Sequence, residues 1–251
     1  MAHKLAALFK ELGLEVGQTS DESWLVKQGE ESMAVVWGPE YGVLNVDFAY
    51  AEPPELSLIL LAHNADGLLS WYLVEDDGQD VVQTRVLASL PQFDRQLVIA
   101  ALEAAALQLG GDQVTRRLRA QLDAPPDASA ALEAALAELG LESEPLTNRV
   151  GGRVVQTELG PLELRVLPGE EAIALSVELE RSRQPEDPRT ALWMLKLSAA
   201  MARVGVSGPD EQGQWIVTSG FVVPNRPVSA QALAWAMINL LNLARQFASN
   251  N

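Results

Sequence analysis

Apolar residues recur at helical spacing through Leu5, Leu8, Phe9 and Leu12 and stop at Gly13, the pattern of a short amphipathic helix with a glycine end. The same arrangement returns 127 positions later as Leu132, Ala135, Leu136 and Leu139 before Gly140, and seven of eleven residues match between LAALFKELGLE (Leu5 to Glu15) and LEAALAELGLE (Leu132 to Glu142). A repeated phrase of this kind predicts two copies of one unit.

After each helix the period shortens toward two. Trp24 to Lys27, Met33 to Trp37 and Val43 to Tyr50 predict three antiparallel strands in the first copy; Arg153 to Leu159, Pro161 to Leu167 and Ala172 to Glu180 predict three in the second. In the last of these, Ile173, Leu175, Val177 and Leu179 alternate with Ala174, Ser176, Glu178 and Glu180, which predicts one buried and one wet face. Asp187 and Pro188 open a helix that runs to about Arg203 in the second copy. The matching LSLILLAHNADG stretch, after Pro53, Pro54 and Glu55, reads as a shorter helix, with a strand as the alternative.

Each copy then shows a hairpin, Ser70 to Glu75 with Val81 to Ala88 and Val204 to Ser207 with Gln214 to Val223. Each closes on a long helix. The first follows a capping-box pattern at Ser89 to Gln92, stops at Gly110 and Gly111, and gains a short extension carrying Val114, Leu118 and Leu122; the second runs from about Ser229 to Phe247. The fold class is therefore α+β: two tandem units of helix, three antiparallel strands, helix, two strands, helix. The units are residues 1–123 and 130–251, with APPDAS at 124–129 as the linker.

That element order, with the "LGL" phrase at Leu12 to Leu14 and Leu139 to Leu141, resembles the YbjN family and the α/β fold of type III secretion chaperones. The resemblance implies a small acidic, usually dimeric and non-enzymatic module that binds an extended segment of a client protein along its sheet and helix surfaces. It supplies no catalytic residue.

The 251 residues carry a net charge of -16. Residues 1–123 hold 8 basic and 19 acidic side chains and residues 124–251 hold 10 and 15, so the first unit contributes more of the negative field. Such a field repels phosphate backbones and attracts basic protein surfaces, nucleic-acid-binding proteins among them. No apolar run approaches the ~20 residues of a membrane span, and the N-terminal stretch reads as an amphipathic helix and not as a secretion signal. Cysteine is absent, so disulfides and thiolate chemistry are excluded and a cytoplasmic setting is expected.

Little points to catalysis. His3 sits at a terminus, which leaves His63 beside Asp66 as the one internal imidazole, too few groups for a usual metal site. Asp76, Asp77 and Asp80, Glu170 and Glu171, and Asp210 and Glu211 read as turn residues, without the order of a calcium loop. No phosphate loop, dinucleotide fingerprint or serine elbow is present, and no cofactor is expected. Arg116, Arg117 and Arg119 form the dense basic cluster, and direct nucleic-acid binding through them is the less favoured alternative. A small-molecule sensor with a pocket between the units is the other.

The signal that does point to a partner is helix composition. Leu192, Trp193, Leu195, Leu197 and Met201 spread around most of one helix, and Trp235 and Met237 extend the apolar surface on the last. A surface helix needs one apolar face. The second face predicts burial between the units or a homodimer or client contact.

Overall fold

The computed structural model describes all residues other than 29–30, 40–41, 53–55, 67–68, 77, 111, 125–126, 148–150, 168–171, 183–186, 199–202, 211, 225–228 and 251. Met201, Asp77, Glu170, Glu171 and Glu211 lie outside the described residues. The first unit runs α1 (Ala2–Glu11), β1 (Glu15–Ser20), β2 (Ser23–Gln28), β3 (Glu31–Gly38), β4 (Val43–Glu52), α2 (Ser57–Asp66), β5 (Ser70–Asp76), β6 (Gln79–Ser89), α3 (Arg95–Gln108) and α4 (Asp112–Arg119). The second runs α5 (Ala128–Glu138), β7 (Glu144–Pro145), β8 (Arg153–Thr157), β9 (Gly160–Val166), β10 (Ala172–Ser182), α6 (Pro188–Ser198), β11 (Arg203–Ser207), β12 (Trp215–Pro224) and α7 (Ala230–Asn250).

The protein is α+β, and both units form a six-stranded antiparallel sheet of the same order, β1-β2-β3-β4-β6-β5 and β7-β8-β9-β10-β12-β11. The repeated phrase does the same work in each. Gly13 and Gly140 take left-handed φ of 63° and 66°, and Leu14 and Leu141 donate back to Phe9 and Leu136 at 3.1 and 3.0 Å. This is the Schellman end of a helix, which only a residue without Cβ enters cheaply. It turns the chain from helix into sheet.

Several expectations change. Each sheet has one strand more than the pattern showed, because β1 and β7 are edge strands whose residues are almost all exposed, so they carry no alternating apolar signal. The LSLILLAHNADG stretch keeps its favoured reading, a helix over Ser57–Asp66 and not a strand. The capping-box reading at Ser89 fails: Ser89 belongs to β6 and donates to the Ala232 carbonyl, while Asp94 is the N-cap, accepting from Leu97 N–H at 3.1 Å. Helix α5 begins at Ala128, inside the stretch read as linker, capped by Asp127. On β10 the face expected to be wet is buried at Ala174 and Ser176 and opens only from Glu178.

One core forms under each sheet. In the first, Leu5, Leu8 and Phe9 of α1 meet Trp24, Val26, Met33, Val35, Leu44 and Val46, with α3 across them. In the second, Leu132 and Leu136 of α5 and Leu233 and Leu240 of α7 meet Ile173, Leu175 and Phe221. A third core joins the units: Leu60 and Leu61 of α2 and Ala191, Met194 and Leu195 of α6 pack with Leu73, Val82, Val204, Val206 and Val217. Helix α2 packs mainly on β11 of the other unit, and α6 mainly on β5.

This exchange closes two sheet edges, since β5 and β11 are the outer strands of their sheets. Unpaired edge groups are costly when buried and adhesive when exposed. Asn64 accepts from Trp71 N–H at 2.6 Å and donates to Trp71 O at 2.8 Å and to Val204 O at 2.9 Å, so one side chain serves both edges. Ser198 holds the equivalent place on α6 and accepts from Val204 N–H at 3.0 Å. Asn64→Ala should therefore destabilise the chain by about 2 kcal/mol, since two part-buried bonds to Trp71 and one buried bond to the Val204 carbonyl are lost, measured as a lower urea midpoint.

Candidate interaction surface

The seam fixes the register between the two copies. Counting back five residues from Asn64 and from Ser198 gives Ile59 and Trp193, which are 56% and 47% exposed, while Leu60, Leu61, Met194 and Leu195 beside them are buried. Both middle helices thus present one large apolar side chain outward. Of the residues assigned to a partner or dimer surface, Leu195 and Met237 are buried within the chain and Leu192 and Leu197 are partly buried in the seam core. Trp235 is half-buried and stands over Gly42 of the first unit, where a methyl group would collide with its indole. The second apolar face of α6 is used mainly by the other copy.

Two arginines hold the ends of the exchanged helices. Arg85 on β6 donates to the Ser198 carbonyl at the end of α6, and Arg165 on β9 donates to the Ala65 carbonyl of α2 at 2.6 Å. Cations at helix C-termini meet orphan carbonyls and the negative end of the macrodipole. Gly205 makes the approach possible, because a Cβ there would lie 2.6 Å from Ala65 N. At that point the seam has no room for a ligand.

Arg85 also belongs to the main buried polar cluster. It faces Asp47 across the β4–β6 ladder, stacks 4.4 Å above the Tyr72 ring, and is buried. Tyr72 Oη donates to Asp47 Oδ1 at 2.5 Å and lies 3.0 Å from Gln83 Oε1; with its one proton on Asp47, the Gln83 amide is better turned to donate. Asn45 donates to the other Asp47 oxygen. Burial pushes the Asp47 carboxyl up, opposed by the Tyr72 hydrogen bond and by the Arg85 charge. Burial, then Asp47, pushes Tyr72 well above its usual range, and burial lowers Arg85. The second copy has Ser176 and Gly220 where the first has Asp47 and Arg85, and its arginine, Arg203, stands on β11 opposite Gly220. The charge pair is a property of one copy only.

The other expected sites are dispersed. Arg117 donates to the Gly13 carbonyl at 3.0 Å and Arg119 to Glu103 at 2.7 Å, so two of the three clustered arginines bind α4 to its own unit. His63 is exposed on α2. Asp80 pairs with Lys196 of α6 at 3.2 Å, and Asp210 caps its own turn by accepting from Gln212 and Gln214 N–H. Among the described residues no three His, Asp or Glu side chains gather as a metal cluster, and no helix is long and apolar enough to cross a membrane.

What remains open is the far side of the first sheet. β1 is its outer strand, paired to β2 from Glu15↔Lys27 to Ser20↔Ser23, and exposed apart from Val16. The sheet face beside it carries Leu25 and Val36, each about a third exposed, and leads by register through Ala34 to Asp47. Acidic side chains stand at the two ends of β1, Glu15 at its start, where it pairs with Lys27 of β2 at 2.7 Å, and Asp21 and Glu22 in the turn that follows it. The equivalent edge of the second sheet is closed by brevity, since β7 has two residues and ends in Pro145, which has no N–H. Sequence reasoning passed over β1 because EVGQTS lacks apolar alternation.

No family model matches the chain, and no curated protein or solved structure does.

Arg85→Ala should cost about 3 kcal/mol at about pH 7, because Asp47 is left half-buried without its cation and the α6 end loses its cap. A carboxyl whose folded pKa is raised favours folding below its unfolded value and loses that contribution as pH rises through the folded value. Removing Arg85 raises the Asp47 value further, so the deficit should narrow toward about pH 4. Urea titrations of both proteins across that range check the sign.

Proposed function

We propose that this chain is a non-enzymatic, chaperone-like protein-binding module, a two-unit body that takes up a basic, extended segment of another protein by strand addition to β1. The observation that carries this reading is the state of the four sheet edges. β5 and β11 are closed by the exchanged helices, β7 is two residues long, and β1 is left long and exposed. An edge strand offers main-chain hydrogen bonds to any extended chain, and alternate side chains then set specificity. Leu25 and Val36 supply apolar contact beside the edge, while the acidic excess of the first unit, with Asp21 exposed at the end of β1, favours basic residues and speeds encounter. A cytoplasmic client, including a nucleic-acid-binding protein presenting a basic tail, fits this chemistry. The resemblance to YbjN-like and type III secretion chaperone-like proteins supports the same class.

An acetylated octapeptide of alternating Lys and Val should bind the full chain, slow hydrogen exchange at residues 15–20, and weaken as salt rises. The matching Glu–Val peptide should not bind. Equal binding of both peptides, or protection confined to another part of the chain, would sink the reading.

A further inference from the structure

The two copies differ most after their last helices. Asp94 and Ser229 are equivalent N-caps, each accepting an N–H from three residues on, at Leu97 and Ala232. Residue n of α3 therefore corresponds to residue n + 135 of α7, the offset that also relates Arg85 to Gly220 in the preceding strands. In the first unit α3 ends before Gly110, which has φ 68°, and α4 folds back along it. Arg245 stands at the equivalent of Gly110, and α7 runs on to Asn250.

The seat of α4 is well marked. Leu118 is fully buried, Val114 and Leu122 pack against the first core, Arg119 pairs with Glu103, Gln121 meets Arg95 and Gln96, and Arg117 caps the Gly13 carbonyl. In the same core, Ile99 and Ala106 of α3 and Leu12 after α1 are buried. Their counterparts Ala234, Leu241 and Leu139 are only half-buried, and the counterpart of Glu103 is Ile238, which is 49% exposed. Among the described residues no counterpart of α4 covers the groove where α5 packs beside α7, and with Ile238 and Leu241 in place of Glu103 and Ala106 it is more apolar than the occupied one. Gly140 repeats the turn of Gly13, with exposed Glu138 and Glu142 flanking it as Glu11 and Glu15 flank Gly13.

We propose that this groove of the second unit binds a short amphipathic helix from a partner protein, of the chemistry that α4 displays in the first. Two or three aliphatic residues at i, i+4 spacing would cover Ala234, Ile238 and Leu241, and an arginine one residue before the second aliphatic position would reach the Gly140 carbonyl between the two glutamates. The occupant is defined by the internal precedent: the same chain shows which helix fills the equivalent groove, and acidic flanks favour a basic helix over an acidic one. The site is separate from the β1 edge, so either can fail without the other.

The probe is an acetylated, amidated peptide of residues 111–123, GDQVTRRLRAQLD, titrated into the full chain. It should bind one to one and slow hydrogen exchange in residues 230–245. Ile238→Glu, an exposed position that leaves the fold intact by circular dichroism, should weaken binding at least about tenfold, the loss expected from one aliphatic contact. A Leu118→Glu peptide should lose affinity in the same way. Absence of binding, insensitivity to Ile238→Glu, or protection on residues 95–108 through displacement of the resident α4 would each overturn the proposal. So would dimerisation of the chain that the peptide dissolves, because the occupant would then be a second copy.

Discussion

Two sheet edges meet inside this molecule, and each must have its backbone groups satisfied away from water. Asn64 does so for both at once, holding Trp71 of its own unit and Val204 of the other. An amide is suited to this because it accepts and donates from one planar group. With Asn64 in place, α2 lies on β11, Gly205 must lack a side chain, and the Ala65 carbonyl comes within reach of Arg165. The seam is therefore a polar lock inside an apolar core, and the lock sets register where Leu60, Leu61, Met194 and Leu195 alone would tolerate sliding.

The copies have diverged around that shared frame. The first unit keeps a charged cluster, Asp47, Tyr72 and Arg85, a free edge strand, and a helix folded back over its outer groove. The second has small residues at the cluster positions, a vestigial edge strand, and an apolar groove with Ile238 exposed and, among the described residues, no helix folded over it. Each copy is closed where the other is open. Two recognition modes, one for an extended chain and one for a helix, then sit on one body without competing for the same surface.

Much of the fold was legible from periodicity. The repeated phrase marked both unit starts, and alternation marked β2, β3, β4, β9 and β10, because burial of one face leaves a period-two trace. β1 and β7 left none, since neither buries a face. The apolarity of α6 was readable, and its partner was not: the contacts that answer it lie more than a hundred residues away, as in Arg85 with Ser198. The apolar groove was hidden for a different reason. Ile238 looks like any helix residue until the N-caps align it with Glu103.

The exchange of middle helices bears on how the chain is made. A ribosome releases β5 long before residues 188–198, which finally cover it, so the nascent first unit spends much of synthesis with an uncapped hydrogen-bonding edge and an unfilled apolar flank. Neither half can reach its final form while the other is unmade. Joining both in one polypeptide keeps the missing piece at high effective concentration from the moment it emerges, and confines to the duration of translation a hazard that separate subunits would carry until they met.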